Sequence, residues 1–337
     1  MPIRPDENSG ILVIRLGAMG DIIHALPAAA SLKASFPQHR LSWLVSPRWM
    51  PLLEGNPAID ELIGFERSGW AALKTSWRRL RQTRFDLAFD FQGLLQSALA
   101  GRAARPKVFY GFSGSVAREA HAAWFYDHSV DVTGPHRVER NLQLIASANA
   151  TRLTMQAWIP QGKPEGYLPT GPFVLANPFA GWAGKEWPLP YYELLGQRLR
   201  KEGLKLVVSV PAQKAPALQN FKHTDVYIST LSGLIDATRR ATAIVGVDSG
   251  PLHLAAALGK PGVAIFGPTD PAYTGPFGGS LTVLRAPNVE TTYKRHREIH
   301  ASMKVISVEQ VAATLLNSIE NGNVSRDAHR TEPISKP

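Results

Sequence analysis

The chain contains no cysteine, which excludes a disulfide framework and any metal site built on thiolates and fits a reducing compartment such as the cytoplasm. No run reaches about 18 apolar residues, so no membrane-spanning helix is expected. The first ten residues, MPIRPDENSG, are polar and lack the apolar stretch of a secretory signal. Several functional signatures are missing too. The glycine loop near residue 17 is neither the G-x-G-x-x-G fingerprint of dinucleotide binding nor a P-loop, because no Gly-Lys-Ser/Thr follows. Ser249 has valine rather than glycine two residues before it, so the G-x-S-x-G elbow of a serine hydrolase is absent. No repeat of 20 to 50 residues is visible beyond a coarse similarity of the two halves.

What is present is a chain of 337 residues, too long for one ordinary α/β core and about right for two. With 44% apolar and 19% charged residues it has the composition of a globular protein able to bury a core in each half. The net charge of +10 attracts anionic partners. The cations fall in clusters such as WRRLR at 77 to 81, GRAAR at 101 to 105 and KRHR at 294 to 297, without a zinc finger, an RNP-like signature or a basic zipper. An anionic lipid surface or a phosphorylated substrate fits this pattern at least as well as nucleic acid.

Apolar runs at 11 to 16, 41 to 45 and 86 to 89 each precede a stretch of helical spacing, which predicts repeated β-loop-α units and a mostly parallel sheet. Residues 67 to 85 read as an amphipathic helix with a basic face, and 107 to 140 as irregular loops over a site. The segment WIPQGKPEGYLPTG at 158 to 171 is dense in Pro and Gly and reads as a linker between domains. The alternation then restarts, with strands expected at 173 to 177, 204 to 210, 243 to 247 and 262 to 266 and helices at 189 to 202, 232 to 241 and 251 to 258. A last helix, 307 to 320, is expected to pack back across the cleft, and the polar tail from 321 to 337 to be disordered. The expected domains are therefore 1 to 160 and 161 to 320, two Rossmann-like halves facing a central cleft.

Four stretches carry the chemistry. RLGAMGD, at 15 to 21, lies at the carboxyl end of the first strand, where open α/β sheets place their ligands. Asp21 there either faces the cleft as a functional carboxylate or only favours the helix N-terminus. VGVDSGPLH, at 245 to 253, is a strand running into a Gly-Pro helix start, where backbone N–H groups and the positive helix end suit a diphosphate. An ordinary capped helix accounts for Ser249, Gly250 and Pro251, but not for Asp248 and His253 as well. NPFAGWAGKEWP, at 177 to 188, is a loop in which Lys185 can neutralise a leaving phosphate, or is simply a solvated lysine. FGPTDP, at 266 to 271, is explained by a turn, and Thr269 and Asp270 there either contact a ligand or, as the spacing favours, are structural.

Taken together, RLGAMGDIIHALPAAASLKASFP, FDLAFDFQGLLQSALAGR, KEWPLPYY and VGVDSGPLHLAAALGKPGVAIFGPTDP resemble the ADP-heptose:lipopolysaccharide heptosyltransferases of glycosyltransferase family 9, most nearly the type I enzymes. The resemblance runs from Ile11 to about Ile319, and Asp90, Gln92, Gly93, Arg118, Glu119 and the stretch 136 to 140 belong to it. It implies a GT-B fold, inverting transfer without metal or cofactor, an ADP-heptose donor, a Kdo-lipid A acceptor and a place at the cytoplasmic face of an anionic inner membrane. By this resemblance Asp21 falls at the general base and Lys185 at the lysine that holds the donor phosphates. Asp248, Ser249, Gly250 and His253, with Pro251 and Leu252 between them, fall on the donor-binding helix start. Leu231 falls where the backbone meets adenine. On the acceptor side the resemblance points to Gly17, Ala18, Met19, Gly20, Gln92, Arg118, Arg137 and Arg140, with Arg78 and Arg79 as further positive charge.

Two positions depart from the family pattern. Ala180 and Gly181 stand where members usually carry two hydroxyl residues, leaving only backbone amides, and VPAQKA at 210 to 215 lacks the acid that holds the ribose. The alternatives are a family 9 enzyme with another nucleotide sugar, a nucleotide-sugar epimerase and a nucleic-acid-binding protein. The last rests on charge alone and predicts steeply salt-dependent binding.

Overall fold

The computed structural model describes residues 9–66 and 69–330. The N-terminal eight residues, the first two of the helix expected at 67 and the last seven of the tail lie outside the described residues. The chain divides into two compact units between Pro160 and Gln161.

The first unit runs β1 (Ser9–Ile14), α1 (Met19–Ile23), α2 (Leu26–Ser35), β2 (Arg40–Val45), β3 (Glu61–Gly64), α3 (Trp70–Gln82), β4 (Arg84–Asp90), α4 (Leu95–Ala103), β5 (Val108–Phe112), β6 (His128–Val130) and α5 (Arg137–Ala146). Its six strands lie in the order β3-β2-β1-β4-β5-β6, and every neighbouring pair is parallel. Both faces of such a sheet are covered, which is why its strands read as unbroken apolar runs. Leu12, Ile14 and Ala88 pack with Leu80 of α3 and Ala98 of α4 on one face, while α2 and α5 pack together.

The second unit runs β7 (Phe173–Asn177), α6 (Leu189–Arg200), β8 (Lys205–Ser209), β9 (Thr224–Tyr227), α7 (Leu231–Arg240), β10 (Ala243–Val247), α8 (Gly250–Ala257), β11 (Gly262–Phe266), α9 (Pro271–Thr274), β12 (Leu281–Arg285), α10 (Ala301–Lys304) and α11 (Val308–Arg330). Its sheet, β12-β11-β10-β7-β8-β9, is again parallel throughout and repeats the first topology strand for strand. Alternate residues serve opposite faces: Val174 and Ala176 join Trp187, Tyr192 and Leu195, whereas Phe173 and Leu175 join Ala237, Leu252 and Ala255.

In both sheets the order of strands reverses at one place, between β1 and β4 and between β7 and β10. The carboxyl ends of those strands are where such sheets bind ligands.

Three expectations change. Residues 107 to 140 are not loops throughout, for they hold β5, β6 and the start of α5. β5 carries Gly111, where an added Cβ would lie 2.2 Å from the Tyr126 ring, so packing and not an alternating pattern makes the strand. The last helix packs on its own sheet, against α6 and β11, because Val308, Val311, Ala312 and Leu315 form one apolar stripe buried in that core. It also continues to Arg330, well into the stretch read as a disordered tail. No proline lies between Val308 and Pro333, and propagating a formed helix costs far less than starting one.

The linker is tied down on both sides. Asn56 Nδ2 donates to the Trp158 carbonyl at 3.4 Å in the first unit, and Tyr227 Oη donates to the Glu165 carbonyl at 3.0 Å in the second.

Candidate active site

At the switch point of the first sheet, the loop after β1 carries Arg15 to Ala18 and leads into α1. Gly17 is required there, since an added Cβ would lie 2.8 Å from Trp49 Nε1. Asp21 is the third residue of α1, and its Oδ2 accepts from the Ala18 N–H at 3.3 Å, so it does favour the helix start. It does more. Arg15 Nη2 lies 2.5 Å from Oδ2, and Arg137 Nη1, from the first turn of α5, donates to Oδ1. Burial alone would raise the Asp21 pKa, but the guanidinium groups of Arg15 and Arg137 outweigh it and hold the carboxyl well below the usual range. Asp21 is therefore not a carboxylate of ordinary pKa, because two cations of one unit converge on it.

The loop after β4 supports this pole. Asp90 is fully buried and accepts from the Gln92 N–H at 2.8 Å, Ser97 Oγ at 2.7 Å and Tyr126 Oη at 2.8 Å. Gln92 Oε1 in turn accepts from the Leu16 N–H at 2.8 Å, and Arg15 donates to the Phe91 carbonyl. Burial raises the Asp90 pKa against these hydrogen bonds. Tyr126→Phe leaves Asp90 short of a donor, and urea denaturation is expected to read a loss of about 1–3 kcal/mol. A loss below about 0.5 kcal/mol would remove the Tyr126 bond from this account.

Met19 and Gly20 are buried in α1, and Ala18 is exposed at its start. Arg118 is exposed beside Gly93, whose added Cβ would meet the Arg118 N–H nitrogen at 3.2 Å. Arg140 Nε donates to the Gly134 carbonyl at 2.7 Å, which orders the approach to α5. His136 caps that helix, its Nδ1 accepting from the Val138 N–H at 3.1 Å. The structure therefore brings Asp21, Arg137, Gln92 and the 17–20 loop together.

At the switch point of the second sheet, Asp248 follows β10. Lys185 Nζ donates to its Oδ2 at 3.1 Å, Thr269 Oγ1 donates to the same oxygen at 2.8 Å, and His253 Nε2 lies 3.7 Å from Oδ1. Burial opposes ionisation of Asp248, but His253, Lys185 and Thr269 prevail and bring its pKa down to about 2. Thr269, read from the sequence as a turn residue, is thus part of this pole.

α8 starts one residue earlier than expected. Ser249 is its N-cap, Gly250 its first residue and Pro251 its second, where the N–H is still one of the unpaired four. The Ser249 hydroxyl makes no capping bond. It is buried and has no hydrogen-bond partner, and the same holds for Asn177 Nδ2 at the end of β7. An ordinary cap does not account for a buried Ser249 hydroxyl left unpaired at a helix start, a place where backbone N–H groups and the helix dipole favour an anion.

Leu252 and His253 are buried within α8. Ala180 donates its N–H to Glu186 Oε1 at 3.3 Å, and Gly181 is exposed with open space around it. Leu231 opens α7, whose N-cap Thr230 bonds Glu165 through both its N–H, at 2.8 Å, and its hydroxyl, at 2.5 Å. Among the described residues no three His or acidic side chains gather as a metal site would require.

Two poles of this kind on two like-wound sheets match a known pattern. The family model described as glycosyltransferase family 9 (heptosyltransferase) matches residues 73–304, more than half of the chain. The chain belongs to glycosyltransferase family 9. Lipopolysaccharide heptosyltransferase 1 of Pseudomonas aeruginosa is 29% identical over 300 residues, covering 81% of this chain and 83% of the relative. In structure, Escherichia coli ADP-heptose lps heptosyltransferase II superposes with a TM-score of 0.77 at 23% identity, over 93% of this chain and 99% of the other. Escherichia coli heptosyltransferase WaaC with ADP gives 0.73 at 24% identity, over 91% and 99%. The fold is GT-B, and the protein is a glycosyltransferase.

Sequence reasoning assigned no part in the site to four residues of this transferase. Arg15 was read only as part of a loop, although an arginine six residues before Asp21 at a strand end is a visible signal. Trp49 and Asn177 gave none, since only the fold carries them to the strand ends, and Thr269 was hidden by a turn that explains FGPTDP by itself.

Proposed function

We propose that this glycosyltransferase moves L-glycero-D-manno-heptose from ADP-heptose to a Kdo sugar of the lipopolysaccharide inner core, with inversion at the anomeric carbon. The buried Ser249 hydroxyl and Asn177 amide without partners, beside Lys185 and the start of α8, carry the reading, because together they suit a nucleoside diphosphate. The second unit supplies the donor cradle, with Lys185, Ser249, Gly250 and the α8 dipole on the phosphates and Leu231 on the adenine side. The first unit supplies the base.

The acceptor oxygen attacks the anomeric carbon as the bond to the diphosphate breaks, and the bonding electrons leave with ADP. Lys185 and the helix start stabilise that departing charge. The proton of the attacking hydroxyl passes to Asp21. A carboxylate paired with two arginines is a weak base, yet the hydroxyl becomes strongly acidic once its oxygen bonds to carbon, so a late transfer suffices. An acidic acceptor sugar would compete for Arg137, whose side chain is 28% exposed, while Arg15, at 7%, stays on Asp21. The acceptor would thereby free one oxygen of its own base. Displacement from the face opposite the leaving group inverts the centre. A lipid-borne acceptor further places the enzyme at the cytoplasmic face of the inner membrane.

A second reading, transfer from another nucleotide sugar, is favoured by Ala180 and Gly181 in place of hydroxyl residues and by the turn at Ala212–Leu218, which has no acid. A donor panel of ADP-heptose with GDP-, UDP- and TDP-sugars, run in EDTA on deacylated Kdo-lipid A, separates the two. Product from ADP-heptose alone is the expected result. Product only from another donor would replace the heptose assignment with the second reading.

A further inference from the structure

Between Gly69 and Arg118 the sequence holds nine arginines and lysines and only two acids, Asp86 and Asp90, both buried. Three of the nine are paired: Arg79 with Glu61, Arg102 with Asp127 and Lys107 with Asp86. The other six are exposed. The stretch is therefore cationic with no exposed acid of its own; on the turn that follows, Glu119 is exposed and its Oε2 accepts from the Leu95 N–H at 2.7 Å, and Asp127 is paired with Arg102.

The same stretch exposes large apolar side chains. α3 and α4 are neighbours on one face of the first sheet, and α4 packs against the 3₁₀ turn Ala120–Phe125. Arg102 Nε, in the last turn of α4, donates to the Phe125 carbonyl at 3.0 Å and fixes that turn beside the helix. Leu95 and Leu99, one turn apart on α4, are 39% and 47% exposed, and Trp124 on the turn is 77% exposed. On α3, Ser76 and Leu80 point inward and Arg79 reaches Glu61 of β3. At about 100° per residue, Trp77 stands about 160° around the helix from Arg79, on the side of α4. It is 40% exposed, and Arg81 lies on the same stripe one turn on.

Exposed tryptophans and leucines on the same elements as exposed cations are the composition of a surface that sits in the headgroup layer of an anionic bilayer. Six exposed cations, Lys74, Arg78, Arg81, Arg84, Arg105 and Arg118, outnumber the exposed acids Glu119 and Asp127 of α3, α4 and this turn, and an anionic lipid surface meets that excess by charge complementarity. We infer that α3, α4 and the turn bearing Trp124 form a docking face for an anionic membrane surface. This rests on the proposal of a lipid-borne acceptor and names the face that meets the lipid. Leu95 and Arg118 lie at its upper rim, beside the Gln92–Gly93 loop, so a sugar chain rising from the bilayer arrives at the Asp21 pole of the same unit.

Vesicle sedimentation with the full chain tests the face without donor or acceptor, using phosphatidylcholine vesicles with and without phosphatidylglycerol. The wild type is expected to partition to the anionic vesicles alone. Trp124→Ser with Leu99→Gln, and separately Lys74→Glu with Arg81→Glu, are each expected to weaken that partition at least about tenfold. Turnover on water-soluble deacylated acceptor should stay within about twofold of wild type, which certifies that the variants fold. Equal binding of wild type and both variants to anionic vesicles would overturn the face, as would a Trp124-dependent dimer with no vesicle binding. Failure of wild-type transfer to the soluble acceptor would strike the functional reading instead, and leaves the sedimentation result to speak for the surface.

Discussion

Asp21→Asn is expected to lower kcat by about 10²–10⁴-fold, the usual worth of a positioned general base, while ADP affinity changes by less than about twofold. The asymmetry follows from the separation of duties. Asp21 belongs to the first unit, whereas every group assigned to the diphosphate belongs to the second. Asparagine keeps the size of the side chain and one acceptor oxygen for the Arg15 and Arg137 donors, so the loop after β1 can keep its shape.

Alanine would remove both oxygens and leave the buried Arg15 guanidinium without its anion, at a cost of about 3–5 kcal/mol in stability. A loss of activity in Asp21→Ala therefore mixes chemistry with folding, and Asp21→Asn is the cleaner probe. Burial already pushes the Arg15 pKa down against the pull of Asp21. Thermal unfolding and ADP titration of Asp21→Asn serve as controls for the kinetic loss. Turnover within about threefold of wild type would take Asp21 out of the proton transfer.

Lys185→Gln is expected to lower kcat by about 10²–10³-fold and to weaken ADP binding, because it removes the cation that meets the departing diphosphate. It also strips Asp248 of its strongest formal countercharge. The consequence for acid stability has a definite sign. The folded pKa of Asp248 is depressed to about 2, so its stabilising contribution is complete above the unfolded carboxyl value of about 4 and fades as pH falls from there towards 2. With Lys185 gone the folded pKa rises and that contribution shrinks, so the variant should lose stability relative to wild type at neutral pH and converge with it in strong acid. Urea unfolding from pH 7 down to 2.5 measures the difference directly. A gap between the two proteins that stays constant down to pH 2.5 would mean that Lys185 does not act through Asp248.

The frame of this fold was legible because buried parallel strands must be apolar on both faces, and ILVIRL, FVLAN and AIVGV are. The short edge strands β3, β9 and β12 were not. They span four or five residues, expose part of each strand and lack an apolar run of their own. β5 was hidden for a different reason: its glycine is fixed by an aromatic ring 15 residues later in the chain, a contact that no local pattern announces.

At the site, glycine turns at strand ends revealed both poles, and charge chemistry suggested Asp21, Lys185 and Asp248. The partners that set their properties come from afar. Arg137 lies 116 residues from Asp21, Asp248 lies 63 from Lys185, and Thr269 lies 21 beyond Asp248. Spacing along the chain carries no trace of such pairs, which the winding of the sheets alone creates. Ser249 illustrates the opposite error, since its position predicts an ordinary cap and its hydroxyl makes none.

The anomeric configuration of the product, read by NMR after transfer from ADP-heptose to a deacylated Kdo acceptor, tests direct displacement with Asp21 as base. The account predicts one product, with the anomeric centre opposite to that of the donor and formed at the wild-type rate in the presence of EDTA. Product of retained configuration, or free heptose formed without an acceptor, would contradict it.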